Sequence, residues 1–258
     1  MKVVILAGGF GTRISEESHL RPKPMIEIGG YPILWHIMKY YGSFGFNEFI
    51  ICCGYKGYII KEYFADYYLH RSDVTFDFAD GGGMTIHNNV SEPWKVTLIH
   101  TGTNTQTGGR IKRVQPYIGE ERFMLTYGDG VSDVDLHALL KQHEQSDSVV
   151  TLTAIQPGGR FGMLDIEGQS VTAFKEKSKE DGGWINGGFM VAEPGLFGYI
   201  EGKDTILERS PLEQLSAERK LGVYKHDGYW RCMDTQRDKH SLEEEWANGK
   251  AKWKVWEN

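Results

Sequence analysis

The sequence predicts one α/β domain built on a doubly wound, mostly parallel sheet flanked by helices, with a small β-rich part in its second half. Three observations predict it. Strand-like and helix-like segments alternate through the first half of the chain, and a glycine-rich loop follows the first strand directly. The 258 residues, 40% hydrophobic and 25% charged, are enough for a sizeable core without disulfide staples.

In chain order, Lys2 to Leu6 is a short apolar run that enters the loop Ala7 to Arg13. Ile33 to Tyr41 has helical periodicity, and Glu48 to Cys53 reads as a buried strand. Gly54 to Tyr68 reads as a loop entering an amphipathic helix, whose Tyr63, Phe64, Tyr67 and Tyr68 belong to a core or an interface. Val96 to His100 reads as a strand, Gly108 to Val114 as a helix start and Phe123 to Tyr127 as a strand. Such alternation specifies parallel strands with helical crossovers. Val149 to Ile155 is strongly β-branched, and shorter strands follow at Met163 to Ile166, Val171 to Phe174 and Gly188 to Val191. Helical patterns return at Leu212 to Lys220 and Asp238 to Ala247. Trp246, Trp253 and Trp256 imply a tail packed on the body or on a neighbour. No repeat or linker divides the chain, so 1–258 reads as a single domain.

Charge narrows the function classes. The balance of 29 basic against 35 acidic side chains, net −6, disfavours nucleic acid and anionic lipid as partners. No run approaches the roughly 18 apolar residues of a membrane span. Met1 to Ala7 is too short for a secretory core and runs straight into glycines, so a cytoplasmic address is expected. Cys52 and Cys53 are neighbours in a strand and point to opposite faces, which argues against a disulfide between them. Neither they nor Cys232 has zinc-site spacing.

The loop Leu6-Ala7-Gly8-Gly9-Phe10-Gly11-Thr12-Arg13 is the most informative stretch. It sits where a doubly wound sheet places its ligand crevice. Glycines let backbone N–H groups approach a phosphate chain or a base edge, and Arg13 adds a planar, permanently charged fork. It is not the dinucleotide fingerprint, since the third glycine would fall at Ile14, and no Gly-Lys-Ser/Thr closes a Walker loop. The glycines alone fit a tight turn equally well. Arg21-Pro22-Lys23-Pro24-Met25 follows, where prolines on both sides of Lys23 exclude a regular helix and hold an ammonium on a rigid segment. Tyr127-Gly128-Asp129-Gly130 places a carboxylate at a strand end, readable as a Mg²⁺ ligand or as a turn aspartate. Asp133 and Asp135 read as the loop and helix cap that follow it. Asp234 in Met233-Asp234-Thr235 reads by itself as a helix cap.

The joint pattern, Gly-Gly-x-Gly-Thr-Arg at 8–13 and Pro-Lys-Pro-Met at 22–25, resembles the nucleotidyltransferases that make nucleotide-sugars from sugar 1-phosphates. The resemblance extends along nearly the whole chain. Cys52-Cys53-Gly54-Tyr55-Lys56-Gly57, Glu92-Pro93-Trp94, Thr107-Gly108-Gly109-Arg110, Arg160-Phe161-Gly162, Ile185-Asn186-Gly187-Gly188-Phe189 and Met233-Asp234-Thr235 bring it nearest to members that use CTP and glucose 1-phosphate. It implies a Rossmann-like sheet, with 1–130 mainly binding nucleotide and 131–258 mainly binding sugar phosphate.

The same resemblance implies the roles of single residues. Leu6, Ala7, Gly8, Gly9, Gly11, Thr12, Arg13, Lys23, Thr105, Arg110 and Gly128 would contact nucleotide, with Arg13, Lys23 and Asp129 catalytic. Asp129 and Asp234 would hold Mg²⁺. Gly162, Glu176, Lys177, Asn186 and Gly187 would take the sugar phosphate, although Ser178 stands where the family carries proline after Glu-Lys. Arg110, near a predicted helix start, adds a second group favouring an anion. Lys112 and Arg113 read as a solvated helix face.

The reaction so implied is transfer of a cytidylyl group from CTP to α-D-glucose 1-phosphate, giving CDP-glucose and pyrophosphate. The sugar phosphate is already anionic at neutral pH and needs no general base, which agrees with the lack of a convincing Ser/His/Asp or Cys/His set. UTP or dTTP as donor is the nearer alternative, decided by Gly8, Gly9 and the Gly54 to Gly57 segment. A non-catalytic, nucleotide-sugar-binding regulatory homologue is the other. Such homologues lose the loop arginine, the Pro-Lys-Pro lysine or a metal acid, and Arg13, Lys23, Asp129 and Asp234 are all present. The resemblance further implies a homo-oligomer, of hexameric size, serving 3,6-dideoxyhexose synthesis for a bacterial surface polysaccharide.

Overall fold

The strand Lys2–Ala7 lies at the centre of an eight-stranded mixed sheet in the computed structural model, which describes residues 1–79, 82–88, 91–156, 163–167, 170–175 and 183–256. Lys2–Ala7 pairs in parallel with Glu48–Cys53 on one side and Phe123–Tyr127 on the other, and Lys95–His100 extends the sheet beyond Glu48–Cys53. On the other flank the short strand Met190–Ala192 runs antiparallel between Phe123–Tyr127 and Val150–Ile155. Leu221–His226 then pairs in parallel with Val150–Ile155 and Ile185–Asn186 antiparallel with it.

Both faces of the sheet are buried, which is why its central strands read as continuous apolar runs. Val3, Ile5, Phe49, Ile51 and Met124 point into one core with helix Ile33–Ser43. Val4, Ile50, Phe123 and Leu125 point into a second core with Ile111, Val114 and Ile118 of helix Thr107–Ile118. Helices on both faces make the sheet doubly wound. Cys52 and Cys53 fall in opposite cores and are free thiols. Among the described residues no helix is long and apolar enough to cross a membrane.

Several elements differ from the sequence reading. The helix read at Leu212 to Lys220 runs Ser210–Ala217, and the chain then turns directly into the strand Leu221–His226. The strand read at Gly188 to Val191 is two stretches, Ile185–Asn186 and Met190–Ala192, split by Gly188 and Phe189, both at positive φ. Helix Leu136–Glu144 was not read, though Asp135 caps it as expected, accepting from the backbone N–H groups of His137 and Ala138. Lys112 is not simply solvated, because its ammonium donates to the Phe197 carbonyl at 2.7 Å. The hairpin Val74–Asp77 with Gly83–Ile86 stands off the main sheet. The C-terminal tail packs on the body: Trp253 is buried and, with Trp246 and Trp256, surrounds the ring of His36.

Candidate active site

The carboxyl ends of two adjacent parallel strands, at Ala7 and Tyr127, open together onto a cleft of about 550 Å³. Leu6, Ala7, Gly8, Gly9, Gly11, Thr12, Arg13, Lys23, Thr105, Arg110, Gly128 and Asp129 all line it. Gly11, at φ 66°, is in the left-handed region that favours glycine and starts the short turn Thr12–Ile14. Ile14 is fully buried and pins that turn, while Gly9 faces open space. Thr103, Asn104, Gln106, Thr107 and Tyr127 also line the cleft. Their place on the cleft wall carries no signal in the sequence, because a polar residue gives none until the fold aims it.

Arg110 lines the cleft and is also held from within the protein. Its guanidinium is buried and donates to the Thr101 hydroxyl at 2.8 Å and to the carbonyls of Gly102, Gly8 and Thr103 at 2.7, 2.9 and 3.2 Å. It therefore braces the glycine loop against the 101–103 segment. A Cβ on Gly8 or Gly54 would collide with it. The helix start beside it is also engaged, since Gln106 and Gly109 N–H groups donate to the carbonyls of Lys203 and Thr205.

Lys23 enters the site as the sequence predicts. Pro22 is extended, Lys23–Met25 form a single 3₁₀ turn, and the Lys23 side chain is only 10% exposed. Its ammonium donates to Asp129 Oδ2 at 2.6 Å and to Asp234 Oδ1 at 2.7 Å, and Arg13 holds Asp234 Oδ2 at 2.6 Å. Asp234 is not the helix cap. Thr235 caps Gln236–Ala247 in a capping box with Asp238, which leaves the Asp234 carboxylate to pair with Lys23 and Arg13. The Met233 N–H donates to the Asp129 carbonyl at 2.8 Å, so the two acid-bearing segments are stitched together.

Burial opposes charge on both partners of this cluster, and pairing outweighs it. Desolvation alone would lower the Lys23 pKa, but Asp129 and Asp234 raise it. Desolvation would raise the Asp234 carboxyl, but Lys23 and Arg13 hold it below the usual range. Burial and the neighbouring acids push the Cys232 thiol up to about 12, so it stays protonated beside Asp234 and is no nucleophile.

The acids fit a divalent cation. Two carboxylate oxygens from separate strand ends already converge on one cationic atom. No group of three or more His, Cys, Asp or Glu side chains with metal-site geometry occurs among the described residues. A cation at Asp129 and Asp234 would complete its shell with phosphate oxygens and water, the habit of Mg²⁺.

Asn186 and Gly187 lie on the far side of Tyr127. Asn186 Nδ2 donates to the Tyr127 hydroxyl at 3.2 Å, and the Trp230 indole donates to the Gly187 carbonyl at 2.7 Å. Gly162, Glu176 and Lys177 lie outside the described residues.

The doubly wound sheet, the glycine loop at its carboxyl edge and the paired cations and acids beside it define a phosphate-handling enzyme of the α/β class. The chain belongs to the nucleotidyl transferase family, whose model matches residues 2–251. A glucose-1-phosphate cytidylyltransferase of Salmonella typhi is 54% identical over 258 residues, covering 100% of both chains. Its counterpart in Salmonella typhimurium has the same identity and coverage. Among solved structures, HddC from Yersinia pseudotuberculosis complexed with GMP-PN is 26% identical with a TM-score of 0.67, covering 95% of this chain and 99% of that one.

Proposed function

We propose that this protein transfers a cytidylyl group from CTP to α-D-glucose 1-phosphate, giving CDP-glucose and pyrophosphate. The observation that carries the reading is Lys23, held by two prolines and shared between Asp129 and Asp234 at the edge of the glycine-loop cleft. Full-length identity to the Salmonella enzymes supplies the substrate pair.

A phosphate oxygen of the sugar phosphate attacks the α-phosphorus of CTP. The new P–O bond forms in line with the α–β P–O bond that breaks, and pyrophosphate carries away the electron pair. No proton has to be removed, so the chain's task is positioning and charge neutralisation. The loop from Leu6 to Thr12 lies along the nucleotide, with Thr105, Gly128 and the Arg110 brace behind it. Arg13 turns from Asp234 to the triphosphate, and Lys23 steadies the α-phosphate. Lys177 takes the incoming phosphate, Glu176 the sugar hydroxyls, Gly162 allows the sugar to approach the backbone, and Asn186 and Gly187 lie beneath the ring. Mg²⁺ held by Asp129 and Asp234 would supply charge neutralisation at the leaving pyrophosphate. In this reading 1–130 mainly serves nucleotide and 131–258 mainly sugar phosphate, with Asp234 crossing back to the first.

The working form is a homo-oligomer of hexameric size. The hairpin Val74–Asp77/Gly83–Ile86 supports this, since Phe76, Phe78, Met84 and Ile86 are exposed on it.

The test is pyrophosphate release with glucose 1-phosphate, with and without a chelator, offering CTP, UTP, dTTP, ATP and GTP separately. Release with CTP far above the rest, abolished by chelation and restored by Mg²⁺, is expected. Preference for UTP or dTTP overturns the base assignment and keeps the chemistry. Tight CTP binding without turnover would favour a regulatory binding protein.

A further inference from the structure

Two hydroxyls from separate elements lining the cleft end on one carboxylate. Thr107, the first residue of helix Thr107–Ile118, donates from Oγ1 to Glu208 Oε2 at 2.6 Å. Tyr127, the last residue of strand Phe123–Tyr127, donates its phenolic proton to Glu208 Oε1 at 2.6 Å. The chain of bonds continues at both ends. Thr107 Oγ1 accepts from the Leu207 N–H at 2.9 Å. The Tyr127 hydroxyl accepts from Asn186 Nδ2, and Asn186 Oδ1 takes the Gly188 N–H at 2.9 Å.

The segment carrying Glu208 is seated on the same helix start by backbone bonds as well. Lys203 O accepts from Gln106 N at 2.8 Å and Thr205 O from Gly109 N at 3.2 Å, with Leu207 fully buried behind them. A Cβ at Gly108 or Gly109 would strike the backbone of Thr205 or Lys203, so only glycines let the two segments meet. Asn104, Thr105 and Gln106, which line the cleft, precede Thr107 directly. Tyr127 stands two residues before Asp129. Glu208 therefore links the segment before Thr107 to the acid-bearing strand end by side chain, and a carboxylate accepting two hydroxyls fixes both rotors.

We propose that Glu208 is a positioning residue that couples the nucleotide side of the cleft, through Thr107, to the sugar side, through Tyr127 and Asn186. This rests on the reading that places Thr105 on the nucleotide and Asn186 on the sugar phosphate. When one substrate orders its end of the chain, the other end is ordered with it, and the second substrate binds to a site already set. Because the coupling is an equilibrium property, it is equal in both directions.

The experiment compares kcat and both KM values for the wild type, Thr107→Val, Tyr127→Phe and the double variant. Each substitution keeps the side-chain shape and removes one donor to Glu208, so the test does not depend on the folding of Glu208→Ala. Thr107→Val is expected to raise KM for glucose 1-phosphate as well as CTP, by roughly 5–20-fold for a coupling of ordinary size. Tyr127→Phe is expected to raise KM for CTP as well as glucose 1-phosphate, and the double variant to be no worse than the worse single one. Glu208→Gln, which keeps one acceptor, falls between wild type and double variant. Effects confined to the nearer substrate, multiplying in the double variant, overturn the coupling while an active wild type leaves the reaction standing. A wild type silent with CTP and glucose 1-phosphate sinks both.

Discussion

The Arg110 guanidinium donates to the Gly8 carbonyl at 2.9 Å across 102 positions of sequence, and this bond seats the glycine loop on helix Thr107–Ile118. Gly8→Ala drives a methyl into that guanidinium, which is buried and cannot swing away without breaking its other bonds. The expected cost is about 1–3 kcal/mol for the bonds lost. A fall in Tm of about 2–4 °C per kcal/mol follows for a chain of this size, with a raised KM for CTP. Gly9→Ala, whose methyl meets nothing, leaves Tm unchanged. Scanning calorimetry of the two variants side by side checks the pair.

Lys23→Ala removes the cation between Asp129 and Asp234. Turnover falls by on the order of a hundredfold, the scale of losing one preorganised electrostatic group. Circular dichroism stays that of the wild type, because Lys23 lies in a short turn outside the sheet. A variant that folds normally and turns over at the wild-type rate removes Lys23 from the mechanism.

His36 makes folding sensitive to mild acid. Burial lowers its pKa from 6.5 to about 4, against backbone hydrogen bonds that would raise it. Its Nε2 donates to the Ile28 carbonyl at 2.8 Å, and its Nδ1 accepts from the Trp253 indole at 3.4 Å, so a second ring proton would face a donor. The folded state holds the ring neutral while the unfolded chain takes up a proton below pH 6.5. Stability is therefore full above that pH and declines as pH falls from 6.5 to about 4, by on the order of 3 kcal/mol in all. Urea unfolding at pH 7, 5.5 and 4.5 tests it: His36→Gln should flatten the decline, and an unchanged slope removes His36 as its source.

The hairpin register pairs Val74 with Ile86 and Phe76 with Met84, which puts these four side chains on one face. A two-stranded hairpin is marginal in water without a covered face. Phe76→Asp is expected to lower the sedimentation coefficient while leaving Tm of the body within a few degrees. An unchanged assembly frees this face from the interface.

The central strands were legible because burial on both faces leaves a continuous apolar run, a local signal that needs no partner to be read. The strand Leu221–His226 was not. Its start borders a helical pattern that continues to Lys220 in sequence, and only pairing with Val150–Ile155 makes it a strand. Gly8, Gly11 and Lys23 were legible because glycine permits backbone and close approaches that other residues cannot, and flanking prolines restrict the backbone around the lysine. Asp234 by itself reads as a cap, since Thr235 and Asp234 are equally good caps on paper, and only the family resemblance sets it beside Asp129. The choice between them is made by the Thr235–Asp238 box. Glu208 and Tyr127 carried no signal at all, because their meaning is a hydrogen bond between residues 81 apart.

By itself, then, the sequence determined the class of sheet, the glycine loop at its edge and the rigid lysine, all of them features written in consecutive residues through steric limits and burial. The tertiary structure decided which carboxylates meet that lysine and that Arg110 braces the loop. It also decided that one glutamate accepts from both Thr107 and Tyr127. Those contacts act over distances shorter than one residue but join positions up to 221 apart, so they exist only after the chain has closed on itself.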